Sequence, residues 1–191
     1  MPETPRLLIV VGSTRPSRVG GKVAEWVRER ATEHGGFEID YADLREIDLP
    51  LLDEPEHPSR QAYEHEHTKR WSERVDAADA IVFVHPEYNH GMNGALKNAI
   101  DYLNREWKGK PVGLVSYGGV AAGQRAAGQI KQVLAALDML AIATVPIPGI
   151  SQRVDDEGFH PVEQTERGIV RLLDDLARVE PALTGLRAEG G

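Results

Sequence analysis

The run Val82-Phe83-Val84-His85-Pro86-Glu87-Tyr88-Asn89-His90-Gly91 stops an apolar stretch at a proline and turns through polar and aromatic residues. It re-enters as the amphipathic segment Leu96-Lys97-Asn98-Ala99-Ile100-Asp101-Tyr102. This is the pattern of a ligand loop at the carboxyl end of a buried parallel strand. Pro86 is expected to set the turn, Tyr88 to cover an aromatic ring, and the amides of Glu87 to Asn89 to meet carbonyl edges. Such a flat apolar surface with few ionisable groups suits a planar heteroaromatic ligand better than acid–base hydrolysis. His85 and His90 lack a third ligand at a recognisable spacing, so no metal is expected, and His90 reads as a rim residue.

A second stretch, Gly12-Ser13-Thr14-Arg15-Pro16-Ser17-Arg18-Val19-Gly20, lies between a strand and a helix start, where free N–H groups and the helix dipole attract an anion. Ser13 and Thr14 offer hydroxyls, and Arg15 and Arg18 offer charge-assisted hydrogen bonds. Neither GxxxxGK[ST] nor GxGxxG is present, which favours a terminal monophosphate over a pyrophosphate or triphosphate. A third stretch, Ser116-Tyr117-Gly118-Gly119, brings glycines that let backbone approach a ligand. Its context, Gly113-Leu114-Val115-Ser116-Tyr117-Gly118, is not a GxSxG nucleophile turn, which argues against a hydrolase. Glu64-His65-Glu66-His67 has the composition of a metal run, but i and i+2 face apart on a helix, so it reads as a solvated face.

These loops need a scaffold, and apolar runs alternating with helical-period segments describe one: βαβ repetition around a parallel sheet. Strands are expected at Leu7–Val11, Phe37–Tyr41, Ala80–Val84, Pro111–Val115 and Leu140–Ile147. The first helix carries Val19, Val23, Trp26, Val27 and Arg30 on one face and stops at Gly35-Gly36. Ser59 is expected to cap a second helix with Tyr63, His67, Trp71 and Val75 at spacing four, after a Pro-rich loop from Ile47 to Pro58. A third helix spans about Gly94 to Asn104, a fourth carries Ile130, Val133, Leu134 and Leu137, and a fifth Ile169, Leu172, Leu173 and Leu176. Trp26, Trp71 and Trp107 read as packing or interface residues, Trp107 near a surface turn, and the tail after Pro181 as frayed. The expectation is one α/β domain over 1–191 with its core at about 6–178: a flavodoxin-like three-layer αβα sandwich with a five-stranded parallel sheet in the order 2-1-3-4-5. That order brings the loops after strands 1, 3 and 4 to one edge.

Composition narrows the classes. A length of 191 residues and 41% hydrophobic content describe an ordinary globular domain. A net charge of −8 argues against nucleic acid, and the absence of cysteine excludes disulfides, thiolate metal sites and Cys nucleophiles. No apolar run is long enough to cross a bilayer or form a signal-peptide core, so the expected location is the cytoplasm.

Together, Gly12-Ser13-Thr14-Arg15 with Arg18, Pro86-Glu87-Tyr88-Asn89, Leu96-Lys97-Asn98-Ala99-Ile100-Asp101 and Ser116-Tyr117-Gly118-Gly119 resemble the NADPH-dependent FMN reductase family, from Leu7 to about Leu176. That likeness implies non-covalent FMN, NADPH or NADH as reductant, and a small-molecule acceptor such as a quinone, azo compound, metal oxyanion or free flavin. It implies Ser13, Thr14, Arg15 and Arg18 on the phosphate with the Val19 and Gly20 backbone nearby. Pro86, Glu87, Tyr88 and Asn89 would line one side of the ring, with Ser116, Tyr117, Gly118 and Gly119 at its other edge. It also implies a homodimer or homotetramer and no catalytic side chain, because the cofactor carries the chemistry. Gly91 and Asn93 depart from relatives that carry Ser and Pro there, so a more flexible second loop is expected. The alternative is a flavodoxin-type electron carrier, which Arg15 and Arg18 argue against.

Overall fold

Leu7 to Val11 have no solvent exposure on either side, which a strand achieves only when helices cover both faces of its sheet. The computed structural model describes residues 4–189. In chain order the strands are β1 (Arg6–Val11), β2 (Glu38–Asp43), β3 (Ala80–Tyr88), β4 (Gly91–Met92), β5 (Pro111–Tyr117) and β6 (Leu140–Ile147). β2, β1, β3, β5 and β6 pair in parallel in that order, so the five parallel strands follow the expected 2-1-3-4-5 arrangement. The additional strand, β4, pairs antiparallel with the end of β3.

The helices are α1 (Gly20–His34), α2 (Leu44–Ile47), α3 (Glu66–Asp76), α4 (Gly94–Asp101), α5 (Gln124–Ala136) and α6 (Glu163–Glu189). Val23, Trp26 and Val27 of α1 and Leu172, Leu173 and Leu176 of α6 form the core on one face. Trp71, Ile100, Ile130 and Leu134, from α3, α4 and α5, form it on the other. Trp107, expected near a surface turn, is fully buried and packs its ring against Trp71 at 6.0 Å and Phe83 at 6.1 Å.

Among the boundaries that differ from the sequence reading, three have a clear physical reason. Ser59 lies in a 3-10 turn at Pro58–Arg60, and α3 starts only at Glu66. The Glu54 carboxylate explains the delay: it accepts the N–H groups of Glu64 (2.8 Å) and His65 (3.1 Å), holding the chain off-helix until then. α6 runs through Pro181 to Glu189, where a frayed tail was expected. Arg187 anchors its end by donating to the Gly109 carbonyl at 3.1 Å and to Asp79 at 3.4 Å, so tertiary contacts offset the proline.

β3 also continues through Pro86 to Tyr88, so Pro86 does not make the turn. β1 has already ended opposite Val84, leaving one side of β3 open where a residue without an N–H is tolerated. The reversal falls on Asn89 (φ 49°) and His90 (φ 65°), both left-handed, as a two-residue hairpin into β4 requires.

Candidate active site

Loop 1 leaves β1 at Gly12, whose N–H donates to the Val84 carbonyl at 2.9 Å. Asn93, only 2% exposed, donates through Nδ2 to the Gly12 carbonyl at 2.5 Å and so ties the end of loop 2 to the start of loop 1. This corrects the expectation of a flexible second loop: Asn93 is a clasp. Ser13 is also buried, and its hydroxyl shares a 2.6 Å hydrogen bond with the Tyr88 hydroxyl. The Arg15 guanidinium lies 5.6 Å from the centre of the Tyr88 ring, within cation–π range. Ser13, Arg15 and Tyr88, widely separated in sequence, therefore meet in space.

Arg18 plays a different part from Arg15. Its two terminal nitrogens form a bidentate pair with Asp43, and Nη1 also donates to the Ser13 carbonyl at 2.7 Å. The Asp43 hydrogen bonds raise the Arg18 pKa above its ordinary value, so the guanidinium stays charged. Asp43 additionally accepts the Arg45 N–H at 2.9 Å, capping α2. Three of the five N–H donors of Arg18 thus go to Ser13 and Asp43 and shape loop 1, and Asp43 is a residue of this corner that the sequence reading missed. An aspartate ending a strand reads as a helix cap; nothing local marks its partner in the preceding loop.

The N–H groups of Ser13, Thr14, Arg15, Ser17, Val19 and Gly20 have no hydrogen-bond partner among the described residues. α1 carries no side-chain cap and no acidic residue in its first turn. Tyr117 reaches this same place from loop 3: a Cβ added to Gly20 would collide with its hydroxyl. That hydroxyl is buried without a partner, and burial pushes its pKa up, so it keeps its proton and can donate. An uncapped helix start, unpaired amides, a nearby arginine and an orphaned O–H donor together fit a phosphate-sized anion.

Loop 3 is partly committed to its own structure. The Ser116 hydroxyl, expected at the ligand edge, is buried and donates to the Ala122 carbonyl at 2.8 Å. The Gly118 N–H donates to the Ile147 carbonyl at 3.2 Å. The Gly119 N–H, by contrast, has no partner among the described residues. In loop 2 the Glu87 carboxylate accepts the Arg125 N–H (3.0 Å) and Nε (2.7 Å). It therefore caps α5, and Arg125 with these amide donors holds its carboxyl below the usual range. Gln129 adds a second tie by accepting the Met92 N–H at 2.9 Å, so the hairpin is docked on α5 from both strands.

His85 is fully buried, its Nδ1 3.2 Å from the Pro86 carbonyl and its Nε2 without a partner. Burial pushes its pKa down to about 4, so the ring is neutral at physiological pH. The unfolded chain binds this proton below about 6.5, whereas the folded chain resists it until about 4. Stability from this group is therefore complete above the unfolded value and lost as pH falls between the two. At full development the loss is on the order of 3 kcal/mol. The melting temperature of His85→Leu is expected to fall less steeply than that of the wild type between pH 6.5 and 4; equal slopes would place the titration elsewhere.

Among the described residues no group of His, Asp or Glu is arranged to hold a metal, and no helix is long and apolar enough to cross a membrane. Residues 5–150 match the family model of NADPH-dependent FMN reductases. An NAD(P)H-dependent FMN reductase of Schizosaccharomyces pombe is 41% identical over 145 residues, covering 75% of this chain and 72% of that protein. A quinone reductase of Pseudomonas putida is 34% identical over 158 residues, covering 78% and 81%. The fold is similar to that of FerB, a flavoenzyme NAD(P)H:(acceptor) oxidoreductase from Paracoccus denitrificans, with a TM-score of 0.69, 22% identity, and coverage of 93% of this chain and 98% of that one. With the family model spanning the whole sheet and all three loops, the chain belongs to the NADPH-dependent FMN reductase family.

Proposed function

We propose that the three loops bind FMN, with its phosphate on loop 1 and its ring between loops 2 and 3, and that the protein passes reducing equivalents from NAD(P)H to a small-molecule acceptor. The observation that carries this reading is the uncapped start of α1, where unpaired amides meet the orphaned Tyr117 hydroxyl. FMN, when bound, supplies the hydride and electron chemistry, which is why no acid, base or metal of the protein is needed.

The chain's own residues bind and orient. Ser13, Thr14, Arg15 and the free amides of Ser17, Val19 and Gly20 would hold the phosphate, with Arg15 supplying countercharge, while Arg18 and Asp43 keep loop 1 in shape. The Glu87 carboxylate holds the hairpin on α5 so that Pro86, Tyr88 and Asn89 form a fixed wall. The Gly119 N–H, a free donor of loop 3, would donate to the edge of the ring. Quinones, azo compounds, metal oxyanions and free flavin are acceptors of the right kind, and a cytoplasmic homodimer or homotetramer completes the reading.

FMN-loaded protein is expected to oxidise NADPH when a quinone is supplied. No consumption above background would favour a flavodoxin-type carrier instead. Arg15→Ala is expected to weaken FMN binding by about 1.5–3 kcal/mol, the scale of a hydrogen bond to a charged group. Titration by quenching of flavin fluorescence reads this directly, and an unchanged dissociation constant would overturn the phosphate placement.

A further inference from the structure

The Tyr88 side chain reaches away from its own loop. Its hydroxyl shares the 2.6 Å hydrogen bond with the buried Ser13 hydroxyl, and its ring lies 5.6 Å from the Arg15 guanidinium. Both partners belong to loop 1. The Tyr88 backbone is fixed independently, paired with Gly91 across the hairpin, which Glu87 and Met92 dock on α5. Nor is the Tyr88–Ser13 bond needed to join the two loops. The Gly12 N–H already donates to the Val84 carbonyl, and Asn93 donates to the Gly12 carbonyl. The Tyr117 hydroxyl sits at the same corner: burial raises its pKa, and the neighbouring Tyr88 adds to the rise.

We propose that Tyr88 is a specificity-determining positioning residue that selects flavin bearing the 5′-phosphate over riboflavin, acting through Ser13 and not by its own contact with the phosphate. The proposal rests on the phosphate placement above. A serine hydroxyl has one proton to donate, and a phosphate dianion has none. In the free protein either hydroxyl of the Ser13–Tyr88 pair can be the donor. Once Ser13 donates to the anion, its oxygen can only accept from Tyr88. The anion thereby fixes one order, Tyr88 to Ser13 to phosphate, in which each hydrogen bond polarises the next. Riboflavin ends in a neutral hydroxyl that can donate or accept, so it imposes no such order.

The test titrates FMN and riboflavin into flavin-free protein by quenching of flavin fluorescence and compares the ratio of their dissociation constants. Contacts to the ring cancel in that ratio. Wild type is expected to prefer FMN. Tyr88→Phe keeps the ring beside Arg15 and removes only the hydroxyl. It is expected to weaken FMN by about tenfold and riboflavin by less than about twofold, the scale of one net hydrogen bond against none. Ser13→Ala is expected to narrow the ratio as well. The double variant should narrow it no further than Ser13→Ala alone, because the effect of Tyr88 passes through that hydroxyl. An unchanged ratio in Tyr88→Phe would make Tyr88 a ring cover only and overturns the proposal, as do losses that add in the double variant. The unfolding temperature of flavin-free Tyr88→Phe is expected to match wild type; a clear fall would make the bond a structural tie instead. Failure of the phosphate placement reads differently: wild type itself would bind riboflavin as tightly as FMN.

Discussion

Asp43→Ala is expected to destabilise the fold by about 1–3 kcal/mol, the cost of leaving a largely buried charged group without its hydrogen-bonded partner. The side chains of Arg18 and Asp43 are 12% and 7% exposed, so water does not readily replace the lost carboxylate. Arg18 keeps its charge in the variant, because a guanidinium does not lose its proton in a protein, and α2 loses its cap at Arg45 as well. Loop 1 depends on the same pair, because Arg18 also grips the Ser13 carbonyl, so FMN affinity is expected to drop together with stability. Urea unfolding gives the size of the effect as a shift in midpoint at constant slope. The double variant Arg18→Met/Asp43→Ala is expected to recover part of the loss, since it removes the unpaired charge. A single-variant cost below about 1 kcal/mol would mean that the pair behaves as an exposed one.

Gly123→Ala is expected to cost about 2–5 kcal/mol, combining left-handed backbone strain with overpacking. Gly123 has φ 75°, and a Cβ there would lie 2.9 Å from the Tyr117 nitrogen and 3.0 Å from its carbonyl oxygen. These are backbone atoms of β5, so relief requires moving the strand end that carries Tyr117. The proposed phosphate site should then lose its orphaned donor, and FMN binding should weaken beyond what the stability loss explains. Gly119→Ala is the control for the fold: nothing lies within 4 Å of its added Cβ, so its effect on thermal unfolding is expected to be within about 0.5 kcal/mol. Comparable melting temperatures for the two variants would refute the packing argument.

The sheet was legible because its cause is periodic. Buried parallel strands read as unbroken apolar runs, and Leu7–Val11, Ala80–Val84 and Pro111–Val115 all fall inside observed strands. Strand order followed from the number of βα units, and with it the convergence of three loops at one edge. The hairpin at Asn89-His90 was misplaced because Pro86 is the stronger local turn signal, and only the early end of β1 lets β3 run past it. The start of α3 was misplaced because its amides are held by Glu54, from outside the helix.

The order of residue types along the chain was enough to specify the layered fold, the convergence of three loops and the family. Those properties depend on periodicity, chain connectivity and local backbone chemistry, all of which are written in neighbouring positions. The division of labour within the loops came from elsewhere. Arg15 and Arg18 look equivalent in sequence, yet Asp43 claims the second; Ser13 and Ser116 look equivalent, yet Ala122 claims the hydroxyl of Ser116. Tyr117 gains its role only by passing under Gly20, and Asn93 only by reaching Gly12. Which donor remains free is settled by partners distant in sequence, and that pairing exists only once the chain has packed.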